Sequence, residues 1–213
     1  MPVTLRQPVA TIVKMPTGTP TASLRQRKKD ATEKAIADAA WELFEARGYT
    51  NTSINDIAEA ANVAPRTFFR YFPSKEAVAY PEFDAMSESI RKAFFARPAD
   101  EPPLASLLAS FDALAVMTED EQRNQTRLAL MKQERCPAIA DYFRKRMTEA
   151  VEAMVLERDG DRPDAQLRAR LTSGIVGLVI QTSQELWKET GSVEPMEDVG
   201  HRCFSMVADL ITF

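Results

Sequence analysis

The sequence predicts an all-α fold, and three observations lead to that prediction. Apolar residues recur at intervals of three and four along most of the chain, as amphipathic helices require. Pro, Gly, Asn and Ser stand between these periodic segments, where helices begin and end. The alternation and the hairpin dipeptides of β-strands are missing, apart from Asp159-Gly160 in a helix-rich stretch. We therefore expect about nine helices and no sheet.

The amino-terminal region is predicted to be an arm followed by a long helix. Residues 1–23 are rich in Pro and Thr and show no period, which predicts a flexible arm. The first helix is expected from Lys28 to Arg47, with Gly48 as its C-cap. A basic cluster precedes this helix, and it is either a DNA-contacting segment or a solvated helix start: Arg25, Arg27, Lys28 and Lys29.

Two short helices separated by a tight turn follow. Ser53 is a suitable N-cap for a helix over about residues 54–61. Asn62 stands at the turn, where the backbone needs a residue that tolerates positive φ. The next helix opens with Pro65 in its first turn and ends near Phe72, because Pro73 breaks it. Two short helices in this arrangement are typical of a helix-turn-helix, whose second helix lies in the DNA major groove.

The rest of the chain predicts six further helices. Ser74 can cap the fourth, and Pro81 predicts a kink or a break within it. A Pro-rich linker then separates it from five more helices, at about 104–114, 120–135, 137–158, 163–190 and 195–212. This organisation predicts an arm at 1–23, a DNA-binding domain at 24–73 and a larger helical domain at 74–213.

The distribution of charge supports this division. The net charge is −4, which by itself argues against a nucleic-acid partner. Residues 24–75 nevertheless carry nine Lys and Arg against seven Asp and Glu, whereas residues 76–213 carry sixteen against twenty-four. A basic DNA-reading head joined to an acidic body fits this pattern.

Several classes of protein are disfavoured by what the chain contains. One histidine, two cysteines, no Gly-rich phosphate loop and no G-x-S-x-G motif leave little for catalysis, so we expect no enzyme, no cofactor and no metal. Cys136 and Cys203 are expected to be free thiols. No long apolar run and no signal-peptide pattern occur, which predicts a cytoplasmic protein without a membrane span.

The stretch from Thr52 to Lys75 resembles the TetR family of bacterial transcriptional regulators. It reads T-S-I-N-D-I-A-E-A-A-N-V-A-P-R-T-F-F-R-Y-F-P-S-K, close to the family's T-x-x-x-I-A-x-x-A-G-V-S-x-G-T-[LIF]-Y-x-[HY]-F-x-[SN]-K. The resemblance implies a three-helix DNA-binding head, a helical effector-binding and dimerisation domain, and a palindromic operator. A second resemblance, to actinobacterial members with acyl-CoA-like ligand domains, implies an apolar effector.

Three departures from the family pattern bear on DNA binding. Ala64 stands where the family has Ser, so the recognition helix lacks a side-chain N-cap worth about 1 kcal/mol. Arg66 replaces Gly and adds a guanidinium at the start of that helix. Phe69 replaces Tyr, which removes a hydroxyl that family members offer to a phosphate.

The predicted DNA contacts lie on the two short helices and just beyond them. Arg66 is the candidate base reader, because arginine can bind guanine O6 and N7 with two hydrogen bonds; a phosphate contact is the alternative. The resemblance implies phosphate contacts for Tyr71 and Lys75. The complete set of predicted contacts is Ser53, Asn55, Pro65, Arg66, Thr67, Arg70, Tyr71 and Lys75.

The apolar stripes of the larger domain have two possible uses. The last two predicted helices, about 163–190 and 195–212, are expected to form a homodimer, and Gly174 and Gly177 would permit close approach; an ordinary intrachain core is the alternative. The middle helices are expected to bind a small hydrophobic effector, with an acyl chain or its CoA thioester as first choice. The candidate lining is Phe83, Met86, Ile90, Phe94, Phe111, Arg127, Met131, Phe143 and Met147.

These features predict a ligand-responsive regulator that binds a palindromic operator and releases it when the effector binds. An architectural DNA-binding protein, whose larger domain only dimerises, is the alternative. A solid core without a cavity would favour that alternative, and a helical enzyme would need a polar constellation that the larger domain does not show.

Overall fold

The computed structural model of the protein describes residues 23–81, 83–112, 137–191 and 193–211. These residues form eight α-helices and one 3-10 turn, and they contain no strand. The helices are α1 Leu24–Arg47, α2 Ile54–Ala60, α3 Pro65–Tyr71, α4 Phe83–Phe95, α5 Pro103–Asp112, α6 Pro137–Asp159, α7 Ala165–Glu189 and α8 Met196–Ile211, with the 3-10 turn at Glu76–Ala79. The predicted all-α class is confirmed.

The amino-terminal domain packs α1, α2 and α3 around aromatic side chains. Phe44 and Phe68 are fully buried between these helices, and Phe72 closes the same core. Gly48 has the positive φ of 86° that the end of α1 requires, and Asn62 has 53° at the turn between α2 and α3. Both turns therefore use the residues that tolerate a left-handed backbone most easily.

The 3-10 turn connects this domain to the larger one. It packs against α1 on one side and against α6 on the other. The chain then turns at Pro81, and α4 begins at Phe83. The break predicted at Pro81 is thus present. Ser74 does not cap a long helix: its hydroxyl accepts a hydrogen bond from the Ala77 amide at 3.4 Å, and Lys75 holds the N-cap position of the short 3-10 turn.

The larger domain is a stack of antiparallel and crossing helices. Helix α6 packs along α7, and α7 packs along α8. Helices α4 and α5 pack against each other, α4 also contacts α6, and α5 reaches α8. The core between them is aliphatic and aromatic, with Ile90, Phe94, Leu107, Ile139 and Val151 fully buried.

Several predicted boundaries differ from the observed ones. Helix α1 begins at Leu24 rather than Lys28, because Ser23 caps it by accepting a hydrogen bond from the Gln26 amide at 3.2 Å. Helix α7 begins at Ala165, since residues 160–164 form turns that hold Pro163 outside the helix. The predicted helix at 120–135 and all but one residue of the predicted arm lie outside the described residues.

Candidate nucleic-acid interface

Helix α2 is fixed by a complete capping box at its start. The Ser53 hydroxyl accepts from the Asp56 amide at 3.2 Å, and the Asp56 carboxylate accepts from the Ser53 amide at 2.8 Å. Arg47, at the end of α1, forms an ion pair with Asp56 at 2.7 Å. The Ser53 hydrogen bonds and this guanidinium lower the pKa of Asp56 to about 2. The carboxylate is therefore ionised at neutral pH and ties α1 to the start of α2.

Helix α3 presents an exposed face that the core does not use. Phe68 is buried beneath the helix, whereas Pro65, Arg66, Phe69 and Arg70 are all exposed on its surface. Pro65 occupies the first helical position, and Ala64 before it makes no side-chain cap, as the sequence predicts. A helix that shows two guanidiniums and two apolar groups to solvent has the chemistry of a major-groove reader.

The end of α3 meets α1. The Tyr71 hydroxyl lies near Thr32 of α1 and 3.4 Å from the Arg70 guanidinium. These two neighbours lower the pKa of the Tyr71 hydroxyl, with Thr32 the larger influence. The side chain is half-buried.

Lys75 holds the loop between α1 and α2 in place. Its ammonium donates to the carbonyls of Tyr49 and Thr52, both at 2.8 Å, and lies 3.9 Å from the centre of the Tyr49 ring. Two of its three N–H donors are thus engaged within the chain, which leaves one for a phosphate. The next residue, Glu76, accepts a hydrogen bond from the Tyr49 hydroxyl. Burial acts to raise the pKa of Glu76, but the hydrogen bonds from Tyr49 and Ser74 lower it on balance.

The predicted DNA-contacting residues fall into two groups by their exposure and their intrachain contacts. One group is exposed and makes no ion pair among the described residues: Asn55, Pro65, Arg66 and Arg70. The other group is engaged in intrachain hydrogen bonds or half-buried, namely Ser53, Thr67, Tyr71 and Lys75. These roles on DNA stay predictions.

Sequence reasoning treated Phe69 only as the loss of a hydroxyl. In the structure its ring is 55 % exposed and packs edge-on against Phe68, with centroids 5.6 Å apart. It lies one helical turn after Pro65 and Arg66 and so shares their face. Helical spacing from Arg66 was the signal that could have identified it.

A second unused face lies on α7 and α8 and is apolar. Helix α7 exposes three leucines at spacings of one and two turns, with Gly174 between the last two, and α8 exposes a methionine and a leucine. The exposed side chains are Leu167, Leu171, Leu178, Met206 and Leu210, each open over 59–69 % of its surface. Apolar faces of this extent are typical of interfaces with another protein chain.

The two glycines expected on this face point in different directions. A Cβ at Gly174 would meet nothing within 4 Å, whereas one at Gly177 would lie 2.8 Å from the Thr148 methyl carbon on α6. Gly177 therefore permits the close packing of α6 on α7 within the chain. Only Gly174 lies on the exposed face.

The described candidate effector residues lie in the core or against it. Phe83, Ile90, Phe94 and Met147 are buried, while Met86, Phe111 and Phe143 are half-buried against the same cluster; Arg127 and Met131 lie outside the described residues. Phe143 contacts the rings of Tyr80 and Phe83 at centroid distances of 4.8 and 5.9 Å. Phe111 stacks on Phe204 at 5.0 Å. Their role as an effector lining stays a prediction.

Arg158 is a buried charge that the sequence did not indicate. Its guanidinium lies 4.0 Å from the Phe94 ring centre and donates to the Ser106 hydroxyl at 3.0 Å and to the Glu101 carbonyl at 3.3 Å. Its Nε is buried without a hydrogen-bond partner. Burial lowers the pKa of this guanidinium, against the raising effect of Asp159. No local pattern could have found this cluster, because its members come from separate helices.

The described ranges are also without two further kinds of feature, a metal-binding cluster and a membrane-spanning helix. No group of three or more His, Cys, Asp and Glu residues stands close enough there to hold a metal ion. No described helix is long and apolar enough to cross a membrane.

The fold and this interface define a helix-turn-helix DNA-binding protein with a helical carboxy-terminal domain. A family model for bacterial regulatory proteins of the tetR family matches residues 36–79. The HTH-type transcriptional regulator TcmR of Streptomyces glaucescens is 34 % identical over 172 residues, which cover 77 % of this chain and 76 % of that protein. The chain belongs to the TetR family of bacterial transcription regulators, in which dimerisation and binding of small-molecule ligands are typical.

Solved structures share the fold at low identity. Thermus thermophilus FadR, a TetR-family repressor solved in complex with lauroyl-CoA, has a TM-score of 0.50 and 22 % identity, covering 85 % of this chain and 95 % of that one. A SmeT–triclosan complex has a TM-score of 0.51 and 14 % identity, covering 83 % and 89 %. These likenesses support the architecture from α1 to α8.

Proposed function

We propose that the chain is a ligand-responsive repressor, which binds a palindromic operator as a homodimer and releases it when an apolar small molecule binds the larger domain. The observation that carries the DNA-binding part is the exposed face of α3. Arg66 stands at the start of that helix, where side chains reach base edges, and no acidic residue pairs with it among those described. Pro65 and Phe69 offer apolar contacts to thymine methyl groups on the same face.

The exposed apolar face of α7 and α8 supports the homodimer. Leucines that stay open in a single chain are buried when a second copy packs on them, and a two-fold axis presents the same patch on both partners. Two heads related by this axis would read two half-sites about 34–36 Å apart, one turn of DNA. Palindromy of the operator follows from the symmetry of the dimer.

The proposed effector is an acyl chain, carried as its CoA thioester. The support is the concentration of Phe, Met and Ile side chains on α4 to α6, which offer an apolar environment but few charges. FadR of the same fold holds lauroyl-CoA, and SmeT holds triclosan, so the fold alone accommodates different ligands. The choice of an acyl-CoA therefore depends on the chain's own side chains and not on the shared fold.

Release of DNA requires that the two domains move together, and the 3-10 turn supports such coupling. Lys75 and Glu76 bind the head through Tyr49, while Tyr80 packs on Phe143 of α6. An effector that displaces α6 would therefore displace the head with it. The effector shifts the equilibrium only by its differential affinity for the DNA-competent and DNA-incompetent states.

The first experiment selects binding sites from a pool of random DNA duplexes and measures the mass of the protein by light scattering. We expect a dimer that enriches one palindromic sequence. A dimer that binds all duplexes equally would instead support the architectural alternative, in which the larger domain only dimerises.

The second experiment adds lauroyl-CoA to the complex with the selected duplex and follows fluorescence anisotropy. Free CoA is the matched control, because it carries the same phosphates without the acyl chain. We expect release by lauroyl-CoA and no release by CoA. Release only by hydrophilic compounds would contradict the choice of an acyl-CoA as effector. The proposal that the chain is a ligand-responsive regulator would still stand. We propose that the protein binds its operator DNA in the cytoplasm.

A further inference from the structure

The first two turns of α1 project from the core and carry cations that the helix-turn-helix does not include. Every residue from Ser23 to Ala31 is exposed, and the first buried side chain of the helix is Ile36. Ser23 caps the segment, and strong helix formers extend it beyond the packed part of the domain. The free part of the helix is therefore about 10–12 Å long at 1.5 Å per residue.

The cations of this projecting segment are not compensated within the described chain. Arg25, Arg27, Lys28 and Lys29 make no ion pair there, and the first turn contains no acidic residue. Positive charges at a helix N-terminus oppose the helix dipole, so this placement is unfavourable in the free protein. An external anion would remove that disadvantage.

Helical geometry directs three of the four cations towards the recognition helix. Thr32 faces Tyr71, the last residue of α3. At 100° per residue, Arg25, Lys28 and Lys29 lie within about 60° of the direction of Thr32, whereas Arg27 lies about 140° away. Asp30, the one acid of the segment, lies on the far side with Arg27 and accepts a hydrogen bond from Gln26. Within the exposed segment the charges are thus segregated, and the cationic side is followed by Glu33, whose carboxylate lies near the Tyr71 hydroxyl at the end of α3.

We propose that Arg25, Lys28 and Lys29 form a second DNA contact, which binds backbone phosphates flanking the half-site that α3 reads. The inference rests on the proposed DNA-binding function and adds a surface to it. Arg25 lies about 10 Å along the helix from Thr32, so the contact lengthens the footprint by roughly three base pairs on each side. Phosphates carry no base identity, so this surface adds affinity without adding specificity.

The test compares two variants that differ in the face of α1 they neutralise. The triple variant Arg25→Gln, Lys28→Gln and Lys29→Gln removes the cations facing α3, and Arg27→Gln removes the one facing away. A triple neutralisation in the larger domain controls for net charge: Lys92→Gln, Lys145→Gln and Arg162→Gln. Each protein is titrated with the palindrome selected by the wild type, in one duplex ending at the half-sites and in another with six added base pairs on each side.

We expect the triple variant to lose at least tenfold in affinity for the longer duplex. Its plot of log affinity against log salt should be shallower by about 2–5 units for the dimer, because each lost phosphate contact contributes about 0.9. The wild type should bind the longer duplex more tightly than the shorter one, and the triple variant should not distinguish them. Arg27→Gln and the control triple should behave as the wild type.

Two results would overturn the inference, and they distinguish failure of the flanking contact from failure of the proposed DNA-binding function. If the wild type selects its palindrome but the triple variant keeps the same salt slope and the same dependence on duplex length, the flanking contact alone is wrong. If the wild type selects no DNA sequence and binds no duplex, both the contact and the proposed function fail.

Discussion

The exposed face of α3 and the exposed face of α7 and α8 are both surfaces that the core does not use, but their chemistry differs. The first shows Arg66 and Arg70 with an aromatic ring between them, and the second shows leucines on either side of Gly174 in α7 and a methionine and a leucine in α8. A cationic face with a few apolar groups suits the edges and phosphates of DNA. A face rich in exposed leucines suits a second copy of the same chain.

This difference in chemistry indicates a different partner for each surface. It also indicates that DNA binding by the first surface depends on dimerisation through the second. A seven-residue recognition helix can contact only one half-site. Under the proposed function, affinity for a palindrome therefore depends on the apolar face, although that face does not contact DNA itself. Breaking either face should leave the other intact, and the following changes test that separation.

The largest effect is expected when the apolar face is made charged. Leu171→Glu with Leu178→Glu would place carboxylates in the interface between protomers, where their desolvation is costly. The protein should become monomeric by light scattering and lose about 10²- to 10⁴-fold in affinity for the palindrome, because the second head no longer binds intramolecularly. Val193→Glu, which charges an 88 % exposed residue of the α7–α8 loop, is the matched control. A double variant that remains dimeric would show that the interface lies elsewhere.

The next effect concerns base reading by α3. Arg66→Ala should cost about 1–3 kcal/mol on the selected duplex and relax the preference at one base pair of each half-site. Arg66→Lys keeps the charge but cannot form the two-pronged guanine contact, so it should relax the preference while keeping the salt dependence. Anisotropy with single-base variants measures both. A uniform loss across all duplexes would make Arg66 a phosphate contact only.

Lys75 should affect the head in a different way, because its ammonium is bonded inside the chain. Lys75→Met would leave the carbonyls of Tyr49 and Thr52 without their donor, which should lower the free energy of unfolding by about 1–3 kcal/mol. Selected and random duplexes should both bind more weakly, with a salt slope flatter by about one unit per phosphate contact. Lys145→Met, on the exposed surface of α6, is the control. Unchanged DNA binding despite lower stability would restrict Lys75 to a structural role.

The head could be predicted from sequence much more closely than the body. Its turns depend on single residues with local effects: Gly48 and Asn62 have the positive φ that their positions need, and Pro65 opens α3 as expected. The helix start at Ser23 was missed because a solvated capping residue next to a Pro- and Thr-rich stretch gives a weak signal. Arg66 and Arg70 were placed correctly on the surface, since helical spacing against the buried Phe68 determines their direction.

The body was less predictable because its long helices are apolar on more than one side. Leu167, Leu171 and Leu178 recur at helical spacing and could serve either a dimer or the intrachain core, and the core of α7 uses Ala169, Val176 and Val179 instead. Hydrophobic periodicity predicts a helix, but it does not show which apolar face packs in the core of the same chain and which packs against a partner chain. The contact of Arg158 with Ser106 joins residues far apart in sequence, and no spacing rule reports such a pair.

The smallest expected effects come from the two glycines of α7, and they separate packing within the chain from packing between chains. Gly177→Ala places a methyl group 2.8 Å from the Thr148 methyl carbon, so α6 and α7 must move apart, which should lower the free energy of unfolding by about 1 kcal/mol. Gly174→Ala meets nothing within the described chain and should favour the helix by up to about 1 kcal/mol.

Dimer dissociation measured by sedimentation should show the reverse pattern. Gly174→Ala should raise the dissociation constant several-fold, because a methyl group at the centre of the exposed face separates the two copies of α7. Gly177→Ala should leave that constant unchanged, since its position faces α6. Denaturant unfolding of each variant at several protein concentrations distinguishes the two contributions, because only the dimer's stability depends on concentration. Equal dissociation constants for Gly174→Ala and the wild type would mean that the partner helices do not cross at Gly174, and the interface would then be centred on α8.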